Sequence, residues 1–238
     1  MISNICELCI GGFIIVKHNI DKDKIKGILL DSGKVLNGPI AGHWFITPNF
    51  FKYIAEKAFK AVGEEQRDKA FSEAGSYISK QKLILNEEEE YTHFVEYYRI
   101  FSRELPQLNL DEDKIRSIAL DLVYNPEKYK FYADAVKVIP ELSRKYKLAV
   151  VSDAWPSLEQ VFKKAGLREY FFSFIISSKL GVVKPDEIMY KTALEELKLS
   201  PEEVIFVDDS IKNCDGAKRL GITSFLLCRN REEYLNNN

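Results

Sequence analysis

The chain has 238 residues, 46% hydrophobic and 29% charged, enough for one large domain or a core domain with an insert. Its formal charge of -2 gives no electrostatic reason to expect nucleic acid or an anionic membrane as a partner. Its apolar stretches, such as "KLAVVS" and "EVIFVDD", are strand-length and far too short to span a bilayer.

The first residues, "MISNICELCIGGFIIV", lack a basic start, are interrupted by Glu7 and lead to no small-residue cleavage site, so a cytoplasmic protein is expected. The cysteines (Cys6, Cys9, Cys214, Cys228) do not form a disulfide framework in a chain this long. "CELC" has the spacing of a metal or redox pair, but no second CxxC or His pair accompanies it. A half-buried pair near a terminus is the plainer reading. Residues 1–24 are taken as an N-terminal extension, with "FIIVKHN" either an added edge strand or a partly ordered arm.

From Ile25 to Asp31 an apolar run ends on a carboxylate. "KVLNGPIAGHWFITP" then predicts a short β-hairpin around the turn region "NGPIAG". The next stretch changes character. "NFFKYIAEKAFKAV" sets Phe51, Ile54, Ala55, Ala58, Phe59 and Val62 on one helical face. Segments 67–82, 88–105 and 112–124 repeat that period, and "EEEE" at 87–90 sits where acidic residues favour a helix start. From Ala133 onward, strand-like runs at 147–153, 172–178, 203–209 and 222–227 alternate with amphipathic helical patterns. Continuous apolar runs of this kind suit parallel strands buried on both faces. The predicted fold is therefore α/β, a parallel-sheet core interrupted after its first strand by an all-helical insert. The expected boundaries are 25–47 and 131–238 for the core and 48–130 for the insert.

Polar residues recur where the predicted core strands end: Asp31, then Ser152-Asp153, then Asp208-Asp209, with Lys184 in the loop "GVVKPD". In an open parallel sheet the carboxyl ends of the strands form the ligand crevice, so these residues are placed to converge.

In this order, "LLDSGKVL", "VVSD", Lys184-Pro185 and "FVDDSIKNCDGA" resemble the four motifs of the haloacid dehalogenase-like (HAD) superfamily of phosphatases and related hydrolases. The resemblance covers about residues 25–228. It implies a Rossmann-like core with a helical cap of the family's first type, and an aspartate that attacks phosphorus to give an aspartyl-phosphate. In that scheme Asp31 is the nucleophile. Mg²⁺, which favours carboxylate and carbonyl oxygens, is held by Asp31, Asp208, Asp209 and the backbone carbonyl of Gly33. Ser152 hydrogen-bonds a phosphoryl oxygen, and Lys184 neutralises its charge and that of Asp31. Backbone N–H groups after Asp31, at Ser32 and Gly33, and at Asp153 complete the phosphate cradle.

One position departs from the pattern. Most phosphatases resembling this chain carry a second aspartate two residues after the nucleophile, as general acid and base, a contribution of about 10²–10⁴-fold. Gly33 stands there instead. Some members do carry glycine in a "DxG" version. Three readings stay open: leaving groups that need little protonation, such as anomeric sugar, acyl or aryl phosphates; another residue or water as the acid; or a phospholigand-binding protein with weak turnover. A haloacid dehalogenase is disfavoured, because carbon–halogen displacement needs no metal and the Asp208-Asp209 pair suits one. The insert would contact the rest of the substrate, with His43, Trp44, Arg99, Arg103 and Trp155 as candidates, each more often a packing or surface residue. The expectation is a Mg²⁺-dependent phosphatase of a small phosphorylated metabolite.

Overall fold

The structure, a computed structural model, describes residues 13–15, 21 and 23–229. The Cys6–Cys9 pair lies outside them. Among the described residues the strands are β1 (Phe13–Ile15), β2 (Gly27–Leu30), β3 (Asn37–Pro39), β4 (Tyr129–Phe131), β5 (Lys147–Ser152), β6 (Phe171–Ile176), β7 (Val204–Asp208) and β8 (Thr223–Cys228). The α-helices are α1 (Phe50–Tyr53), α2 (Glu56–Ala61), α3 (Glu64–Ile78), α4 (Glu87–Glu104), α5 (Glu112–Tyr124), α6 (Ala133–Ser143), α7 (Leu158–Lys164), α8 (Ser177–Leu180), α9 (Glu187–Leu197) and α10 (Ile211–Arg219).

Six strands form one sheet in the order β1-β8-β7-β2-β5-β6. Five run parallel, and β1 is an added antiparallel edge strand beside β8. From β2 the chain builds toward β5 and β6 on one side and later places β7 and β8 on the other. β2 therefore lies at a topological switch point, where an open parallel sheet leaves a crevice beyond its strand ends. All four residues of β2 and all five of β7 are buried, as the continuous apolar runs require.

The chain divides into two compact units. One takes in the described residues up to Gly38, Phe131–Ala154 and those from Phe162 on; the other is Pro39–Lys130 with Trp155–Val161. In the first, Leu29, Ala149, Val151, Phe206 and the inward faces of α9 and α10 share one core. In the second, Phe50, Phe59, Phe94, Tyr97, Tyr98 and Phe101 centre a helical core, and Phe45, Ile46 and Trp155 pack against it. That packing groups residues 39–47, which the sequence assigns to the core, with the helices.

Two local expectations are corrected. The "NFFKYIAEKAFKAV" segment is two short helices, because the backbone turns extended at Ile54 and Ala55. The break lets Phe50, Ile54, Phe59 and Val62 all reach the core, while Phe51 stays 41% exposed. The predicted hairpin around "NGPIAG" does not form. Asn37–Pro39 is itself a strand, and its partner is the distant β4.

Helix starts follow local chemistry. Asn86 accepts from the Glu89 N–H at 2.9 Å and Asp111 from the Lys114 N–H at 2.9 Å, each satisfying an otherwise unpaired helix-start donor. The acidic start of α4 carries a further role: Glu90 is buried. Its carboxylate accepts from the Ser157 N–H (2.8 Å) and hydroxyl (2.5 Å), and that hydroxyl accepts from Lys128 Nζ (2.5 Å). No helix among the described residues is long and apolar enough to cross a membrane.

Candidate active site

Strand register brings the carboxylates together. Leu30 is paired with Val207 on one side and Val150 on the other. Asp31 and Asp208 therefore emerge side by side from strands about 4.8 Å apart, and the Asp31 N–H donates to the Val207 carbonyl at 3.0 Å. Ser152 closes β5 level with Ile176 on β6, at the same edge of the sheet. Asp209 follows β7 directly. Asp31, Asp208 and Asp209 each offer an oxygen, all within 4.8 Å of one another.

Lys184 enters this cluster from the loop before α9. Its Nζ is 2.8 Å from Asp31 Oδ1 and 2.7 Å from Asp208 Oδ2, with 1% of its side chain exposed. Its backbone N–H donates to Asp153 Oδ1 at 2.9 Å, which fixes that loop to the end of β5. The Asp186 side chain caps α9 through the Ile188 N–H at 2.9 Å, and the Lys184–Pro185 bond is cis.

Electrostatics follow from burial and crowding. Burial alone would lower the Lys184 pKa, but the charges of Asp31, Asp208 and Asp153 outweigh it and hold the ammonium above its usual range. Burial pushes the Asp208 carboxyl up to about 7, against the opposing pull of Lys184. Burial also raises Asp209 and Asp153, in each case assisted by Asp31. One buried ammonium thus faces three carboxylates. Those oxygens are the hard donors that Mg²⁺ takes, and a divalent cation would neutralise the surplus charge.

The loop after Asp31 is closed on itself. Leu36 and Asn37 donate their N–H groups to the Ser32 carbonyl (2.8 and 3.0 Å), and Lys34 donates to the Asn37 carbonyl at 2.7 Å. Asn37 Nδ2 donates to Ser32 Oγ at 2.7 Å. Gly33 bridges to Asn37 within this turn, and Lys34, at φ 57°, carries its Nζ to 3.7 Å from Asp209 Oδ2.

Sequence reasoning missed two supporting residues. Asn213 donates through Nδ2 to both Asp208 oxygens (3.1 and 3.2 Å), and the Tyr190 hydroxyl donates to the Asn213 carbonyl at 2.9 Å. Asn37 holds the Ser32 hydroxyl. The position of Asn213 on the first turn of α10, just after the acidic pair, was the available signal.

The proposed substrate-contact residues in the helical unit have other partners. Arg99 pairs with Glu112 and Glu96, and Arg103 with Glu96. Trp155 packs edge-on against Phe94 at 5.0 Å, and Trp44 against Tyr129 at 5.1 Å. His43 lies 4.1 Å from the Phe71 ring, and burial lowers its pKa. Each of the five thus has a packing or ion-pair partner within the helical unit.

A buried lysine held between two strand-end carboxylates thus stands at the switch point of a parallel sheet. Residues 44–221 match the model of the haloacid dehalogenase-like hydrolases, and the chain belongs to that family. It is 28% identical over 127 residues to the phosphoserine phosphatase of Thermus thermophilus, a match covering 52% of this chain and 51% of that enzyme. The chain thus spans about half the length of this curated relative. Its fold is similar to a HAD family enzyme of Bacteroides thetaiotaomicron solved with magnesium and inorganic phosphate (TM-score 0.60, 18% identity, 87% of this chain and 96% of that one). It is also similar to the L-2-haloacid dehalogenase of Xanthobacter autotrophicus with chloropropionic acid covalently bound (TM-score 0.55, 20% identity, 84% and 76%).

Proposed function

We propose that the protein is a Mg²⁺-dependent phosphoric monoester hydrolase acting on a small phosphorylated metabolite. The observation that carries this reading is the Asp31, Asp208 and Asp209 cluster with Lys184 wedged between two of its members. Asp31, Asp208, Asp209 and the Gly33 carbonyl would hold the ion, which supplies positive charge against the approach of two anions. Asp31 attacks phosphorus in line; the Asp31 oxygen–phosphorus bond forms as the bond to the leaving oxygen breaks. Lys184 lowers the repulsion between the Asp31 carboxylate and the phosphoryl group, and Ser152 with the N–H groups of Ser32, Gly33 and Asp153 orients its oxygens. Water then attacks the aspartyl-phosphate at phosphorus, freeing Asp31 and inorganic phosphate. Gly33 brings no proton to the leaving oxygen, which favours anomeric sugar, acyl or aryl phosphates.

Similarity to phosphoserine phosphatase supports phosphate-ester chemistry. Dehalogenase chemistry is disfavoured by the acidic pair at 208–209, which carbon–halogen displacement has no use for. The test is phosphate release from an aryl phosphate and a panel of sugar phosphates, with and without Mg²⁺, wild type beside Asp31→Asn. Mg²⁺-dependent release abolished in the variant is the expected result. No release from any substrate, while a phosphorylated ligand still binds, would replace the enzyme with a phospholigand-binding protein.

A further inference from the structure

A groove of about 490 Å³ opens beside the amino-terminal ends of β5 and β6, lined by residues including Lys26, Ser143–Leu148 and Glu169–Phe172. Lys26 precedes β2 and Asp31 follows it. The four residues between them span about 13 Å at ~3.3 Å each, so the groove belongs to the opposite edge of the sheet from the acidic cluster. The volume lies within the range of small-molecule sites.

Its lining pairs cations with an aromatic face. Lys26, Arg144, Lys145 and Lys147 face it, against Glu169. Lys26 is held by Glu203 at 2.5 Å, and Lys147 Nζ donates to the Leu197 carbonyl at 2.7 Å while lying 5.4 Å from the Phe172 ring. The side chains of Arg144 and Lys145 enter no ion pair among the described residues. Phe172, on the strand beside them, is 60% exposed. The end of α6 attracts cations and accounts for one of the pair at its C-terminus. It does not account for the second, and the partnered Lys26 and Lys147 add their charge to the same groove, beside the exposed Phe172 ring.

We propose that this groove binds a small aromatic phosphate of nucleoside monophosphate size, its phosphate taken by Arg144 and Lys145 and its ring stacked on Phe172. Arg offers a planar fork to phosphate oxygens and Lys a point charge; stacking on an aromatic side chain supplies the remainder. The site is independent of the hydrolytic reading.

The test is calorimetric titration of AMP into the full Asp31→Asn chain without Mg²⁺, so that no turnover consumes the probe. Saturable binding is expected, weakened about tenfold or more by Arg144→Glu with Lys145→Glu and about fivefold or more by Phe172→Ser. Those side chains are exposed, so the variants are expected to fold, with unchanged circular dichroism as the control. In the otherwise wild-type chain, the double variant is expected to leave Mg²⁺-dependent phosphate release unaltered. AMP binding untouched by the double variant, or absent at millimolar AMP, would overturn the proposal. Inorganic phosphate binding as tightly as AMP would overturn the aromatic half. An oligoglutamate peptide binding where AMP does not would make the groove a peptide surface instead.

Discussion

The Lys184 ammonium lies 2.8 Å from Asp31 Oδ1 in a site where its side chain is 1% exposed, and a second carboxylate, Asp208, stands 2.7 Å from it. Removing one partner of such a group leaves uncompensated buried charge, at about 3–5 kcal/mol. Lys184→Met is therefore expected to destabilise the metal-free protein by roughly that amount at pH 8. The loss should shrink at pH 5. Burial already raises the Asp208 carboxyl to about 7, and without the ammonium it rises further, so the folded variant takes up a proton that the unfolded chain binds only near ordinary carboxylate pH. Its stability falls as pH rises through that raised value. Urea denaturation in EDTA at the two pH values reads this directly. Equal losses at both would contradict the electrostatic account.

Gly216 ties packing to the same loop. A Cβ there would stand 2.5 Å from Pro185 Cβ and 3.1 Å from the Tyr190 hydroxyl, beside the loop that carries Lys184. Alanine gains about 1 kcal/mol of helix propensity over glycine in α10; overpacking costs about 1–3 kcal/mol. Gly216→Ala is expected to lower the melting temperature and to reduce phosphate release more than substrate binding, since Lys184 moves with Pro185. A rise in melting temperature with unchanged turnover would mean the loop absorbs the methyl group.

The Lys128, Ser157 and Glu90 network is a buried polar relay within the helical unit. Burial lowers Lys128 to about 8, against the attraction of Glu90, and raises Glu90, against the pull of Lys128 and Ser157. Between about pH 8 and 10.5 the unfolded chain holds the Lys128 proton that the folded chain has released, so this group makes stability increase with pH. Lys128→Met is expected to remove that increment. The difference between wild-type and variant stability, measured by urea denaturation at pH 8 and pH 10, isolates it from the other titrating lysines and tyrosines. A difference that does not change with pH would assign Lys128 a packing role alone.

The parallel strands were legible because burial on both faces leaves continuous apolar runs, and the carboxylates of the candidate site were legible because Asp31, Asp208 and Asp209 end or directly follow those runs. Lys184, in the loop before α9, was legible only through its motif. Pairing across distance was not. Asn37–Pro39 carries the Gly-Pro signature of a turn, and only pairing with β4, on the far side of the helical insert, makes it a strand. Glu90 reads as one of four solvated acids at a helix start, since neither Ser157 nor Lys128 is near it in sequence. Asn213 looks like an ordinary polar residue on the first turn of a helix; its hydrogen bonds to Asp208 depend on where α10 meets the end of β7. Local periodicity carries elements, whereas polar networks depend on tertiary neighbours.

Gly33 offers a gain-of-function test of the proposed chemistry. It is not among the glycines with backbone in the left-handed region, so an L side chain meets no backbone objection there. Gly33→Asp would set a carboxyl two residues after the nucleophile, where it can protonate a departing alkoxide. General acid help of this kind is worth about 10²–10⁴-fold when needed, and little for an aryl leaving group that departs as a stable anion. The variant is therefore expected to raise release from alkyl phosphates relative to aryl phosphates, by about tenfold or more even with imperfect placement. Steady-state rates on matched alkyl and aryl phosphates give the ratio. If the ratio stays fixed while both rates fall, the added carboxylate repels the substrate without donating a proton, and another group or water already fills that role.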